Sequence, residues 1–591
     1  MNDVHQMNNQ HDACMKRTTH YLLIALALAT GARAADPRVD SWFTARSGQY
    51  ARIYTNNANK AAGNAVTTWS NGTQTQSLPA YAGVQEIYSS ANWVYVRSTG
   101  LGSHVMGPWL NGAFPNLPKN QKVFYRIPRT PVVPTTKTLT ALGAIGYFVD
   151  GVAMFDSRDG FYWNGTAEAG GGGTGSWNRE AYVNEGATFD PGYAHQENSG
   201  THHYHANPIA LRYLLGDHVE FDAATKTYFE STNVVPKHSP ILGWVRDGFP
   251  IYGPYGYSVS NSAASGVRRM LSGFQLRNGQ RGTDNLTNTL RDSLPAWAVR
   301  LYGANAAGPS NLATYPVGRY MEDNAFLGDL GFTMGTEYDL DEYNGRFCVT
   351  PEFPDGTYAY FVAIAANGTP VYPYNIGRTF YGTPSGAAVT ALAEAVTTNF
   401  VGGASAAQTM SRPTASGGNV VLVWSGTEGG TYRVESTTNF TGWTTNATNL
   451  TASNGTGRYT NSSAAGVGFY KIARTALAAY DPVSSTTGGG GNGILSVSPS
   501  NAVAGSTFTL TVNLDPAVNP PPVNAPVNSV TIGALAGTAR VHVSATQVTA
   551  SFTIPPGTPP STNTVTVVFP GPPGNPGATI TYTLPAGFTI N

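Results

Sequence analysis

The run Gly200-Thr201-His202-His203-Tyr204-His205-Ala206-Asn207-Pro208 places three imidazoles within four residues and then signals a helix start. In extended backbone, side chains two residues apart point the same way. His203 and His205 therefore share one face of a strand, and His202 and Tyr204 share the other. Asn207 reads as the helix cap and Pro208 as the first helical residue. Leu211, Leu214 and Leu215 line one helix face, and Gly216 ends it. The positive end of that helix favours neutral imidazole, the form that binds metal.

Outward from this run the chain reads as short strands punctuated by turns. Of 591 residues, 68 are Gly and 39 are Pro, and aromatics reach 11%. Trp93 to Val96, Val123 to Tyr125 and Ile145 to Val149 are strand-like. A second helix signal runs through Asp284 to Leu301, interrupted at Pro295. Residues 35–385 hold most of the Tyr and Trp, and all seven histidines from His104 to His238. Gly170 to Gly173 is a flexible loop within this block. In residues 410–478, Val421 and Val423 alternate with Leu422 and Trp424, as in a small β-sandwich. Residues 484–493 are a Gly/Ser/Thr linker. Residues 494–591 alternate with period two, Phe508, Leu510, Val512 and Leu514 sharing one face, as in an immunoglobulin-like sandwich. The fold class expected is mainly β: a β-rich N-terminal domain with few short helices, then two small β-sandwich domains.

Composition excludes several functions. The 34 basic and 34 acidic residues cancel, and charged residues are 12%, against the usual ~25%. A nucleic-acid binder held by a basic surface is ruled out, because nothing supplies counterion release. A long coiled coil lacks its charged flanks. Apolar content of 41% is too high for a wholly disordered chain. Residues 1–34 read as a signal peptide with an upstream extension, 1–14. Lys16 and Arg17 precede the apolar run Tyr21 to Thr30, and Ala32-Arg33-Ala34 is the cleavage site. That run is too short to span a bilayer, so the expectation is a secreted protein, extracellular or periplasmic, with no membrane span. Beyond residue 34 the one cysteine is Cys348, read as a small buried hydrophobe.

Two imidazoles two residues apart on a strand supply two cis ligands for a transition metal, Zn²⁺ or Cu²⁺ first and Fe²⁺ also. The candidate ligands are His203 and His205, assisted by His195, His238 or Asp247; His218 and Glu197 are near in sequence alone. The competing expectation is that the histidines are hydrogen-bonded structural groups in a Tyr-rich core. Asp247-Gly248-Phe249-Pro250 reads first as a turn, with Asp247 capping it. Asp339, Asp341, Glu342 and Asn344 form an oxygen-rich cluster that fails EF-hand spacing, so an Arg346 or Arg319 partner is expected over Ca²⁺. The Gly-x-Ser-x-Gly elbow, the P-loop, His-Glu-x-x-His and a dinucleotide fingerprint are all missing.

His202-His203-Tyr204-His205, Lys237-His238-Ser239-Pro240-Ile241-Leu242-Gly243 and Asp247-Gly248-Phe249-Pro250-Ile251-Tyr252-Gly253-Pro254-Tyr255-Gly256 resemble the YHYH-domain family of exported proteins. Leu340 to Arg346 and Gly356 to Phe361 extend the resemblance, which covers roughly 140–385 and implies no established activity. His202 stands at the first Tyr position of the family's tetrad. Gly356-Thr357-Tyr358-Ala359-Tyr360-Phe361 echoes Gly200 to His205, with Ala359 and Phe361 where the first copy has His203 and His205. The last block is similar to an IPT/TIG-type module. Three readings follow: a transition-metal-binding protein; a metal-dependent hydrolase or oxidoreductase, with Tyr204 or Tyr252 as acid or redox partner; and a glycan-binding or surface-structural protein whose histidines are structural.

Overall fold

The computed structural model describes residues 36–591 apart from 72–73, 110–115, 171–174, 236, 304, 393, 463–467, 484–493, 515–520, 522, 524, 545 and 571–578. The expected signal segment, most of the Gly170–Gly173 loop and the 484–493 linker lie outside the described residues. The chain is mainly β, as expected, with short helices between the strands.

An eight-stranded sheet carries the histidine run. Its strands are β1 (Ala144–Phe148), β2 (Ala153–Phe155), β3 (Ala194–Gln196), β4 (His202–Tyr204), β5 (Ile241–Val245), β6 (Pro250–Tyr252), β7 (Gly345–Cys348) and β8 (Thr357–Phe361). Their spatial order is β3-β4-β2-β1-β5-β6-β8-β7. Outward from the centre, both halves repeat one pattern. A hairpin (β1–β2 or β5–β6) is antiparallel; its second strand pairs in parallel with β4 or β8; an antiparallel edge strand, β3 or β7, follows.

The central register has a pseudo-two-fold: Gly146 faces Val245, Tyr147 faces Trp244, and Phe148 faces Gly243. The two glycines do the same work. A Cβ on Gly146 would lie 2.5 Å from the Trp244 carbonyl oxygen, and one on Gly243 would lie 2.8 Å from that of Tyr147. The hairpin turns match as well, with Gly151 at φ 80 and Gly248 at φ 85, and with Asp150 and Asp247 each capping the backbone two residues on. The echo seen between residues 200–205 and 356–361 is thus one part of an internal duplication spanning the sheet.

Every residue of β5 is buried, as a central strand covered on both faces requires. A five-stranded sheet built from Val84–Ser89, Trp93–Ser98, Val123–Pro128, Ala387–Ala388 and Thr397–Val401 shares this core. Val84, Ile87, Val94, Val96 and Ile127 pack in one cluster with Ile145, Trp244 and Ile251. That sheet draws strands from beyond residue 385, Ala387–Ala388 and Thr397–Val401, which are too short to give a periodic signal.

After β4 the chain turns into a helix at Ile209–Leu214, with Pro208 as cap rather than first residue and Gly216 at φ 66. The second helix signal resolves into Leu286–Thr289 and Ala296–Tyr302, broken at Pro295. Residues 414–477 form two three-stranded sheets around Leu422, Trp424, Tyr432 and Val434. Residues 494–590 form a four-stranded and a five-stranded sheet around Leu510, Val512, Val548, Phe552, Val565 and Val567.

Candidate metal centre

Because β4 pairs with β3 so that His203 faces His195, three imidazoles meet on one face: His195, His203 and His205. One nitrogen of each lies within 4.8 Å of those of the others, and all three residues are buried. The Nε2 atoms of His203 and His205 are 3.0 Å apart. Phe155 stacks on His203 at 3.8 Å between ring centroids.

The partners on the far side of each ring fix the tautomers. His203 Nδ1 lies 2.8 Å from the Thr201 carbonyl oxygen, and His205 Nδ1 lies 2.7 Å from that of Asp156. A carbonyl only accepts, so both Nδ1 atoms carry the hydrogen. His195 Nδ1 is 2.7 Å from Thr188 Oγ1, whose own hydrogen goes to the Glu185 carbonyl. His195 therefore donates from Nδ1 too. All three rings present Nε2 lone pairs inward.

Facing lone pairs repel unless a cation lies between them. Protons are disfavoured there. Burial, with His205 and His202 adding to it, drives His195 down to about 2; burial also holds His203 well below the ordinary imidazole value, and lowers His205. Neutral imidazole thus comes from desolvation, and not from the six-residue helix that follows.

A fourth donor was not visible in the sequence. Glu185 closes the helix Ala181–Glu185, and its Oε2 lies 3.3 Å from His205 Nε2 and 3.6 Å from His195 Nε2. Burial pushes its carboxyl up to about 8, with Asp159 adding to the rise. One carboxyl proton satisfies a single lone pair, while the Nε2 atoms of His203 and His205 face each other at 3.0 Å. The Glu185 side chain is 28% exposed, so this is the solvent edge of the cluster.

The other candidates lie elsewhere. His238 sits against Tyr252, Tyr257 and Phe361, its Nδ1 on the Ser239 carbonyl. Asp247 accepts from Tyr360 Oη, Gly382 N and Phe249 N, so its role is the turn cap. His218 packs on Tyr255, and Glu197 caps Ser199 and Thr201. Tyr204 lies on the opposite face of β4 beside Phe148, and Tyr252 gives its hydroxyl to Glu352 and packs on His238; both lie away from the cluster of His195, His203 and His205. In the oxygen-rich cluster, Asp339 pairs with Arg268 at 2.6 Å and Glu342 with Arg300 at 3.0 Å. Cys348 is buried, as expected.

The opposite face of β4 brings together a second group: His202, His104 and Asp190, all buried, with ligand atoms within 4.8 Å of one another. Asp190 and His104 were not candidates in the sequence. Aligning the two copies beyond their last six residues would have found Asp190, since Asp190 and Asp341 each cap the turn into β3 or β7.

Residues 124–372 match the family described as YHYH protein, a span that contains the whole duplicated sheet. No curated protein matches the chain.

Proposed function

We propose that the duplicated sheet binds a transition metal, Zn²⁺ or Cu²⁺, through Nε2 of His195, His203 and His205, with Glu185 as the fourth donor. The observation that carries this reading is the 3.0 Å approach of two Nε2 atoms whose rings both donate from Nδ1. Zn–N bonds of about 2.0–2.1 Å put neighbouring tetrahedral ligands roughly 3.3 Å apart, close to that separation. The backbone carbonyls behind the rings supply the orientation a metal site needs.

The test is metal analysis of untagged protein beside the His203→Ala/His205→Ala double variant. The wild type is expected to retain one equivalent more metal through dialysis than the variant. Equal content in both would remove the site.

A second reading, a metal-dependent hydrolase or oxidoreductase, draws support from the exposed Glu185 edge, where a small substrate can reach the cluster. Turnover lost on chelation and restored by metal would favour it. We also read the chain as exported, on the apolar run Tyr21 to Thr30 and the Ala32-Arg33-Ala34 site. The last module reads as an IPT/TIG-type sandwich, and a third reading is a glycan-binding or surface-structural protein whose Tyr and Trp residues contact glycans and whose histidines are structural. N-terminal sequencing of the mature protein and glycan binding by the double variant test these points.

A further inference from the structure

We propose a second metal site on the opposite face of β4, in which His104, His202 and Asp190 hold a divalent first-row transition ion. It is independent of the three-imidazole site, because β4 turns His202 away from His203 and His205.

Four observations carry it. First, neither ring nitrogen of His202 has a hydrogen-bond partner, although the residue is fully buried. Leaving a buried polar atom unmet is costly, and this ring carries two. Second, His104 Nδ1 is also unpartnered, while its Nε2 lies 3.4 Å from Asp190 Oδ2. Third, the chain makes room for the His104 ring with two glycines. A Cβ on Gly192 would lie 2.7 Å from His104 Nε2, and one on Gly102 would lie 2.9 Å from His104 Cε1.

Fourth, the duplicate half supplies the contrast. Tyr358 stands where His202 does, and its hydroxyl donates to Asp341 at 2.9 Å. That half satisfies its buried carboxylate with a phenol. In the first half His202 replaces the phenol, and His104 arrives from the Ser103–Met106 segment. A tyrosine–aspartate hydrogen bond has become two imidazoles and a carboxylate. Two imidazoles and one carboxylate are the donor set of zinc and non-haem iron sites. With all three residues buried and Trp109 edge-on to His202, the site is closed and structural.

The experiment uses the full chain in the His203→Ala/His205→Ala background, which leaves the second site alone, with Zn²⁺ as the probe. Isothermal titration compares that parent with the same protein carrying His202→Tyr, the residue found at the duplicate position. Should the tyrosine distort the fold by circular dichroism, His104→Gln replaces it. The parent is expected to take up one equivalent of zinc, and the added substitution to abolish it. Uptake unchanged by a folded added substitution, or no uptake by the parent, would overturn the second site. The first site is judged separately, by the equivalent lost between wild type and parent.

Discussion

Arg346 stands in β7 where His195 stands in β3: His195 faces His203 across one strand pair, and Arg346 faces Ala359 across the equivalent pair. The guanidinium donates to the Tyr257 carbonyl at 2.6 Å and lies over Phe361. A fixed cation, a methyl and a phenyl thus replace three imidazoles. The second half retains the scaffold of the site and none of its inward-facing donors, so only one three-imidazole centre is possible per sheet.

Behind the centre, Thr188 fixes the His195 tautomer with a side chain, where backbone carbonyls fix the other two. Thr188→Val removes the acceptor for His195 Nδ1 while preserving shape. Zinc affinity is expected to fall about 10–100-fold, the usual cost of losing an orienting partner. Competition against a chromophoric chelator measures it; an unchanged affinity would show that His195 is not a ligand.

Metal binding to the folded state alone stabilises it. At 100 times its Kd, a ligand contributes about 2.7 kcal/mol. Chelation is expected to lower the Tm of the wild type, and to lower it less in the His203→Ala/His205→Ala variant. The same drop in both would disconnect the imidazole cluster from the metal.

Arg212 anchors the helix after β4. Its fully buried guanidinium meets Asp217 at 2.7 Å, Glu230 at 2.6 Å and Asn207 Oδ1 at 3.0 Å. Arg212→Ala strands two buried carboxylates, and breaking such a pair costs about 3–5 kcal/mol. Urea unfolding measures the loss. A cost below about 1 kcal/mol, the scale of an exposed pair, would contradict the burial.

Asp341 gives a pH signature. Burial raises its carboxyl to about 7 from an ordinary 3.8, against the pull of the Gly345 N–H and the Tyr358 hydroxyl. Between those values the folded chain holds a proton that the unfolded chain has released. Its contribution is therefore full below about pH 4 and lost as pH rises through 7. Asp341→Asn, which cannot ionise, is expected to gain on the wild type from pH 5 to pH 8. A gap between the two that stays constant with pH would refute the shift.

By itself the sequence determined the β class, the strand at His202–Tyr204, the turn before the Ile209–Leu214 helix and the shared face of His203 and His205. Each follows from local rules: period-two alternation, the caps and stops of Pro and Gly, and the reach of neighbouring side chains. The echo of residues 200–205 in residues 356–361 was legible too, because it is a pattern in the chain. Only the tertiary structure decided which distant groups join the imidazoles. Strand pairing brought His195 in and left His238 and Asp247 out, helix Ala181–Glu185 delivered Glu185, and a loop far upstream placed His104 against Asp190. Such contacts depend on which strands lie side by side and how deeply they are desolvated. Sheet order and burial belong to the whole fold, and no local spacing encodes them.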